Sequence, residues 1–71
     1  MYFRRLHDMR IDHDLSQAEL AGRFGIQQTV YSRYERGVQP VPLHLLIALA
    51  DLYDVSVDYL LGRTDNPKVN R

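Results

Sequence analysis

The chain has 71 residues, no cysteine, and nine lysines and arginines balanced by nine aspartates and glutamates. This length allows one small domain, and the absence of cysteine excludes disulfide bonds and thiolate metal sites. No apolar run reaches the roughly 18–20 residues of a membrane span and no signal peptide is visible, so we expect a cytoplasmic protein with no membrane association. The zero net charge counts against DNA binding unless positive charge is concentrated on one face.

The first predicted helix covers residues 2–12. Phe3, Leu6 and Arg10 are spaced three and four apart, so Arg10 lies on or beside the apolar stripe of this helix. A buried arginine needs a carboxylate partner, because an unpaired buried charge is expensive. The alternative is that Met9 takes the inward position and Arg10 lies at the surface.

Residues 16–37 are predicted to form a helix, a tight turn and a second helix. Ser16 is a good N-cap, and Glu19, three positions later, completes a capping box. Gly25 falls where the first of these helices should end, because glycine adopts the left-handed conformation of that position without steric cost. Gly37 marks the end of the second helix.

The outer face of this second helix is polar. Tyr31 and Tyr34 share one face and are predicted to be core residues. The polar side chains that point elsewhere are Gln28, Thr29, Ser32, Arg33 and Arg36. Two short helices separated by a glycine, the second polar outside, are typical of a helix-turn-helix, whose second helix fits the major groove of DNA. On composition alone, a helical hairpin with a solvated outer face remains the alternative.

A fourth helix is predicted over residues 43–53, after a loop in which Pro40 and Pro42 preclude regular helix. Leu45 and Leu52 fall on a second face of this helix, outside its inward stripe. The stripe, with its two extending positions, is predicted to consist of Leu43, Leu46, Ile47, Leu49, Ala50 and Tyr53.

Ser56 is predicted to cap a short fifth helix over residues 57–61. The remaining segment is polar and contains a proline. We therefore predict an all-α, compact five-helix bundle that forms one domain over residues 1–62, followed by a loosely ordered polar tail over residues 63–71.

These segments resemble the Cro/CI-type, or phage-repressor-like, helix-turn-helix regulators. In that family Leu-Ser-Gln-x-Glu-Leu-Ala is followed by a glycine with a hydrophobic residue and then by Ser-x-Tyr-Glu-x-Gly, which match residues 15–21, 25–26 and 32–37. Residues 55–62 look like the family's last helix. The resemblance implies a lambda-repressor-like DNA-binding domain and a transcriptional regulator of double-stranded DNA, most readily a repressor.

The resemblance also implies roles for individual residues. In repressors of this type an arginine late in the first helix pairs with the glutamate before the helix-ending glycine, which here are Arg10 and Glu35. Gln27 occupies a position where a Ser or Thr cap is common, which leaves the helix start open. Tyr31 occupies a position where Ile or Val is usual. From the resemblance and the polar face together, the predicted DNA-contacting residues are Gln17, Arg23, Gln27, Gln28, Thr29, Ser32, Arg33 and Arg36.

A homodimer is expected, because one small module without net positive charge buries little surface on DNA. Repressors of this type bind two half-sites about 34 Å apart on a near-palindromic operator. The surplus apolar residues predicted to form the dimer interface are Leu45, Leu52, Val57 and Tyr59. Two alternatives stay open, namely an antitoxin that binds DNA and a toxin, and a protein-interaction module with the same fold.

No catalytic or metal-binding pattern is visible. His7, His13 and His44 lack metal-ligand spacing, and there is no nucleophile–base pair and no phosphate-binding glycine loop. We therefore predict that the protein is not an enzyme and requires neither a metal nor another cofactor.

Overall fold

The computed structural model of the protein describes residues 2–68, and within that range every regular element is a helix. The five helices are α1 (Arg4–Asp12), α2 (Gln17–Arg23), α3 (Gln28–Glu35), α4 (Leu43–Tyr53) and α5 (Val57–Leu60). The prediction of an all-α five-helix bundle is confirmed. Helix α1 begins two residues later than expected, because Phe3 is extended and acts as its N-cap.

Local signals set the bounds of α2 and α3. Ser16 Oγ accepts a hydrogen bond from the Glu19 backbone N–H at 3.0 Å, and Glu19 Oε1 accepts one from the Ser16 N–H at 3.3 Å. Gly25 has a φ of +68°, which allows the Ile26 N–H to donate back to the Ala21 carbonyl at 3.0 Å. This is the left-handed helix ending that the position of the glycine predicts. The turn between the two helices is therefore determined by a few neighbouring residues.

The core lies between all five helices. Helix α2 packs against α3, α4 packs against α5, and α1 contacts both α3 and α5. The apolar side chains buried at the centre are Leu6, Leu20, Ala21, Tyr31, Tyr34, Leu45, Leu46, Leu49, Ala50, Tyr53, Val55 and Leu60.

The inward stripe predicted for α4 is confirmed at Leu46, Leu49, Ala50 and Tyr53, which are all buried, but the prediction fails at its margins. Leu45 is only 4% exposed, so it is a core residue and its assignment to a surplus outer face is wrong. Leu43 and Ile47 are 67% and 46% exposed, so they do not extend the buried stripe. The stripe is centred on Leu49, and at about 100° per residue Ile47 lies on nearly the opposite side of the helix.

The segment after α5 is attached to the rest of the bundle. The Arg5 guanidinium lies over the Tyr59 ring at 4.1 Å and donates to the Thr64 carbonyl at 2.5 Å and to Asp65 Oδ1 at 2.6 Å. The Pro67 carbonyl accepts a hydrogen bond from the Ser56 N–H at 3.0 Å. Residues 64, 65 and 67 thus contact the bundle, and residues 69–71 lie outside the described part of the chain. The loose order of the tail stays a prediction.

Candidate nucleic-acid interface

The polar residues of α3 form one wall of an open surface cavity of about 270 Å³. Positions four apart on a helix share a face, which brings Gln28 beside Ser32 and Thr29 beside Arg33. Gln17, the first residue of α2, completes the opposite side. The six residues that line the cavity are Gln17, Gln28, Thr29, Ser32, Arg33 and Arg36. All six belong to the set that the sequence predicts for DNA contact.

The other two predicted contact residues lie outside this cavity. Arg23 is the last residue of α2, and its side chain is exposed. Gln27 is the N-cap of α3 and is also exposed, but its side chain makes no capping hydrogen bond. Because Gln27 leaves the backbone N–H groups of the first turn without a side-chain cap, this end of α3 keeps donors available for an acceptor from outside.

The inner face of α3 is buried in the core. Tyr31 has no exposed surface, and Tyr34 is buried beside it. Burial raises the pKa of Tyr31, and the nearby Glu35 carboxylate raises it further. Helix α3 therefore presents one dry aromatic face to the bundle and one hydrogen-bonding face to solvent.

Glu35 and Arg10 form a buried ion pair beneath the cavity. Arg10 Nε lies 3.0 Å from Glu35 Oε2, and Arg10 Nη2 lies 2.9 Å from Glu35 Oε1, so the contact is bidentate. Arg10 Nη1 donates to the Leu15 carbonyl at 2.8 Å. The two residues are 8% and 4% exposed. This pair ties α1 and the loop before α2 to the end of α3.

The protonation states follow from this geometry. Burial acts to raise the pKa of Glu35, but the hydrogen bond and the positive charge of Arg10 outweigh burial, and the pKa lies below its usual range. The hydrogen bond to Glu35 raises the pKa of Arg10. Both groups are therefore charged at neutral pH.

Gln17 connects this ion pair to the open cavity. Its Nε2 lies 3.4 Å from Glu35 Oε1, the same oxygen that Arg10 Nη2 contacts. The Gln17 side chain is half-buried. One residue of the proposed contact surface is thus bonded to the buried charge below it.

Comparison with known proteins is consistent with this geometry. The family model described as Helix-turn-helix matches residues 6–60, which include all five helices except the start of α1. The chain belongs to this helix-turn-helix family. No solved structure gives a significant match.

Three curated regulators are similar to this chain in sequence. The uncharacterized HTH-type transcriptional regulator YobD of Bacillus subtilis is 48% identical over all of this chain and 65% of its own length. The cryptic phage CTXphi transcriptional repressor RstR of Vibrio cholerae is 31% identical over 92% of this chain and 59% of its own length. The HTH-type transcriptional regulator ImmR of B. subtilis is 36% identical over 94% of this chain and 53% of its own length. The chain thus spans between about half and two thirds of these relatives.

Two contacts of this helix-turn-helix domain were not foreseen from the sequence. The bond between Gln17 and Glu35 joins residues 18 apart, and the Arg5 cluster joins residues about 60 apart. Neither contact has a local sequence pattern, and the sequence predicts only a DNA contact for Gln17. Among residues 2–68, no three His, Cys, Asp or Glu side chains lie together as metal ligands, and no helix is long and apolar enough to cross a membrane.

Tyr53→Phe should stabilise this domain by about 1 kcal/mol. The Tyr53 hydroxyl is buried with no hydrogen-bond partner among the described residues, and burial raises its pKa to about 12. An unpaired buried hydroxyl costs about 1–3 kcal/mol, which phenylalanine would not incur. Urea unfolding followed by circular dichroism measures the change. Tyr2→Phe at an exposed position is the control, and a destabilised Tyr53→Phe protein would contradict the prediction.

Proposed function

We propose that the protein is a transcriptional repressor of the bacterial or phage type that acts in the cytoplasm by binding a specific sequence of double-stranded DNA. The observation that carries this proposal is the polar cavity on the outer face of α3, because the opposite face of the same helix is entirely buried. The names of the relatives, which are transcriptional regulators and a phage repressor, support it. We assign no catalytic step, metal or other cofactor to this function.

In the proposed complex α3 lies in the major groove. The Gln28 amide both donates and accepts, so it can pair with adenine, and the Arg33 guanidinium can pair bidentately with guanine. Thr29 and Ser32 offer hydroxyls to neighbouring base edges or phosphates. Arg36 contacts the backbone. Base contacts give specificity, backbone contacts fix the register of the protein, and the bound protein blocks polymerase at its operator.

The remaining predicted residues are assigned to the phosphates on either side of the groove. Gln17 begins α2, Arg23 ends it and Gln27 precedes α3, so all three lie at helix ends. Residues 16–37 contain three arginines, Arg23, Arg33 and Arg36, which supply positive charge although the whole chain is neutral. Binding should therefore weaken as salt rises, with a slope that reflects few phosphate contacts.

Selection from random duplex DNA tests this function. We expect enrichment of one sequence class, and tighter binding of that class than of shuffled duplexes in fluorescence anisotropy at a fixed salt concentration. A correctly folded protein that enriches no sequence would contradict the proposal.

We further propose that two copies bind a palindromic operator through their α4–α5 surfaces. Leu45 is in the core and cannot contribute, but Leu52, Val57 and Tyr59 remain half-buried at the surface of the single chain. Val57 also lines a cavity of about 260 Å³ together with the exposed Ile47. A two-fold contact would bury the same patch on both copies.

Leu52→Lys should lower affinity for a full palindrome by about tenfold or more while leaving half-site affinity unchanged, because it places a charge in the proposed dimer contact. Leu43→Lys adds the same charge to an exposed position of the same helix and is the matched control. Thermal unfolding of both variants shows whether the fold is intact. Sedimentation with the full operator decides the stoichiometry, and one protein per palindrome would refute the dimer.

A further inference from the structure

The contact between Gln17 and Glu35 joins the buried ion pair to the surface that is proposed to bind DNA. Glu35 accepts three hydrogen bonds from Arg10, and its side chain is almost fully buried. Its Oε1 atom accepts from both Arg10 Nη2 and Gln17 Nε2. The position of that oxygen is therefore set by the core and does not depend on solvent.

The chemistry of this contact determines the orientation of the Gln17 amide. A glutamine side chain alone can present either its oxygen or its nitrogen to a neighbour, and the two are hard to distinguish by shape. An ionised carboxylate only accepts hydrogen bonds, so the Gln17 nitrogen must face Glu35. One N–H of Gln17 is then bonded to Glu35, and its second N–H and its oxygen remain for other partners.

The oriented amide of Gln17 lies at the cavity that is proposed to bind DNA. Gln17 lines the same cavity as Gln28 and Arg33, but it reaches the cavity from α2 and not from α3. A phosphate oxygen can accept a hydrogen bond from the second N–H of Gln17, whereas it would repel the Gln17 side-chain oxygen. A side chain that is already oriented loses less conformational freedom on binding, which is worth roughly three- to tenfold in affinity.

We propose that Glu35 is a positioning residue that holds the Gln17 amide with one N–H free for a phosphate of the bound DNA. This inference rests on the proposed DNA-binding function. It gives the buried ion pair a role in affinity that is separate from its role in stability. Because the contact is to the DNA backbone, the effect should be equal for all sequences and should leave base preference unchanged.

The test removes the carboxylate without leaving a buried charge. Arg10→Met combined with Glu35→Leu replaces the pair by apolar side chains of similar size, a change that proteins often tolerate. Gln17→Met removes the amide and keeps the side-chain length. We expect Gln17→Met to weaken binding of the selected duplex roughly three- to tenfold in the parent protein and less than about twofold in the protein without the ion pair.

Gln28→Met is the matched control, because Gln28 lines the same cavity and has no hydrogen bond to Glu35 within the described residues. Its effect on affinity should be the same with and without the ion pair. An equal loss from Gln17→Met in both proteins would overturn the proposal. A loss confined to one base pair of the operator would also overturn it, because that would indicate base readout by Gln17.

A second measurement keeps the proposal testable if the apolar replacement does not fold. In the free parent protein at neutral pH, ¹⁵N relaxation of the side-chain amides should show Gln17 to be more ordered than Gln28. Equal mobility of the two amides would overturn the proposal. Failure of the parent to bind any selected DNA would instead refute the proposed function, and the relaxation measurement would still decide whether Glu35 orders Gln17.

Discussion

Replacing Arg10 or Glu35 by alanine is expected to lower the free energy of unfolding by about 3–5 kcal/mol. Each substitution leaves the other charge buried without its partner. Because a core of this size supplies only about 3–5 kcal/mol in total, either variant should be largely unfolded at room temperature. Circular dichroism and urea unfolding measure the loss, and the double alanine variant should lose less than the sum of the single ones.

The exposed ion pair between Arg4 and Asp8 provides the control. Both residues lie on α1, as Arg10 does, and Arg4 Nε lies 3.4 Å from Asp8 Oδ2, but the Arg4 side chain is 80% exposed. A pair of this kind contributes at most about 1 kcal/mol, so Arg4→Ala should leave unfolding almost unchanged. Similar small losses for Arg4→Ala and Arg10→Ala would mean that the buried pair does not stabilise the fold.

Acid should weaken the domain through the same pair. The pKa of Glu35 is lower in the folded protein than its ordinary value of 4.5. A carboxylate with a lowered pKa contributes stability that is fully present above its unfolded pKa and is lost as pH falls through its folded pKa. Stability measured by urea unfolding should therefore fall below about pH 4.5, and this fall should be smaller in the Arg10→Met, Glu35→Leu protein.

Arg33→Ala should cost about 1–3 kcal/mol of DNA-binding free energy, which is roughly 5- to 150-fold in affinity, if Arg33 pairs with a guanine. It should also relax the preference for that base pair, because alanine cannot distinguish base edges. Arg33 is exposed on the outer face of α3 and lines the cavity with Gln28 and Thr29. Anisotropy with the selected duplex and with single-base variants of it measures both effects.

Arg36→Ala should behave differently from Arg33→Ala. We expect it to weaken binding to all sequences alike and to reduce the slope of log affinity against log salt by about one unit, because one phosphate contact is lost. Arg63→Ala removes an exposed arginine that does not line the cavity and is the control for net charge. If Arg33→Ala and Arg36→Ala both bind the selected duplex as the parent does, α3 is not the contact helix.

The sequence predicts the helix-turn-helix well because its determinants are local. The Ser16–Glu19 capping box and the left-handed turn at Gly25 each involve residues within one helical turn of one another. Their geometry is therefore determined by neighbouring residues before any tertiary packing. The burial of Tyr31 also follows from the simple two-faced pattern of α3.

The buried face of α4 could be predicted only in part. The first half of this helix is apolar nearly all round, so several stripes satisfy the helical period equally well. Packing against the other helices selects the stripe centred on Leu49, and it places Leu45 inside and Ile47 outside. The contacts of Arg5 likewise depend on tertiary structure, because its partners are distant in the sequence. The DNA contacts themselves remain predictions.

The contacts of Arg5 join α1 to α5 and to the segment that follows it. Asp65 is 60 residues away from Arg5 in sequence, yet the two side chains are joined, and the Arg5 guanidinium also covers Tyr59 of α5. Helix α1 and this segment are each held by the other, so neither can detach alone without releasing its partner. Local opening of α1 is thereby coupled to opening of the segment after α5.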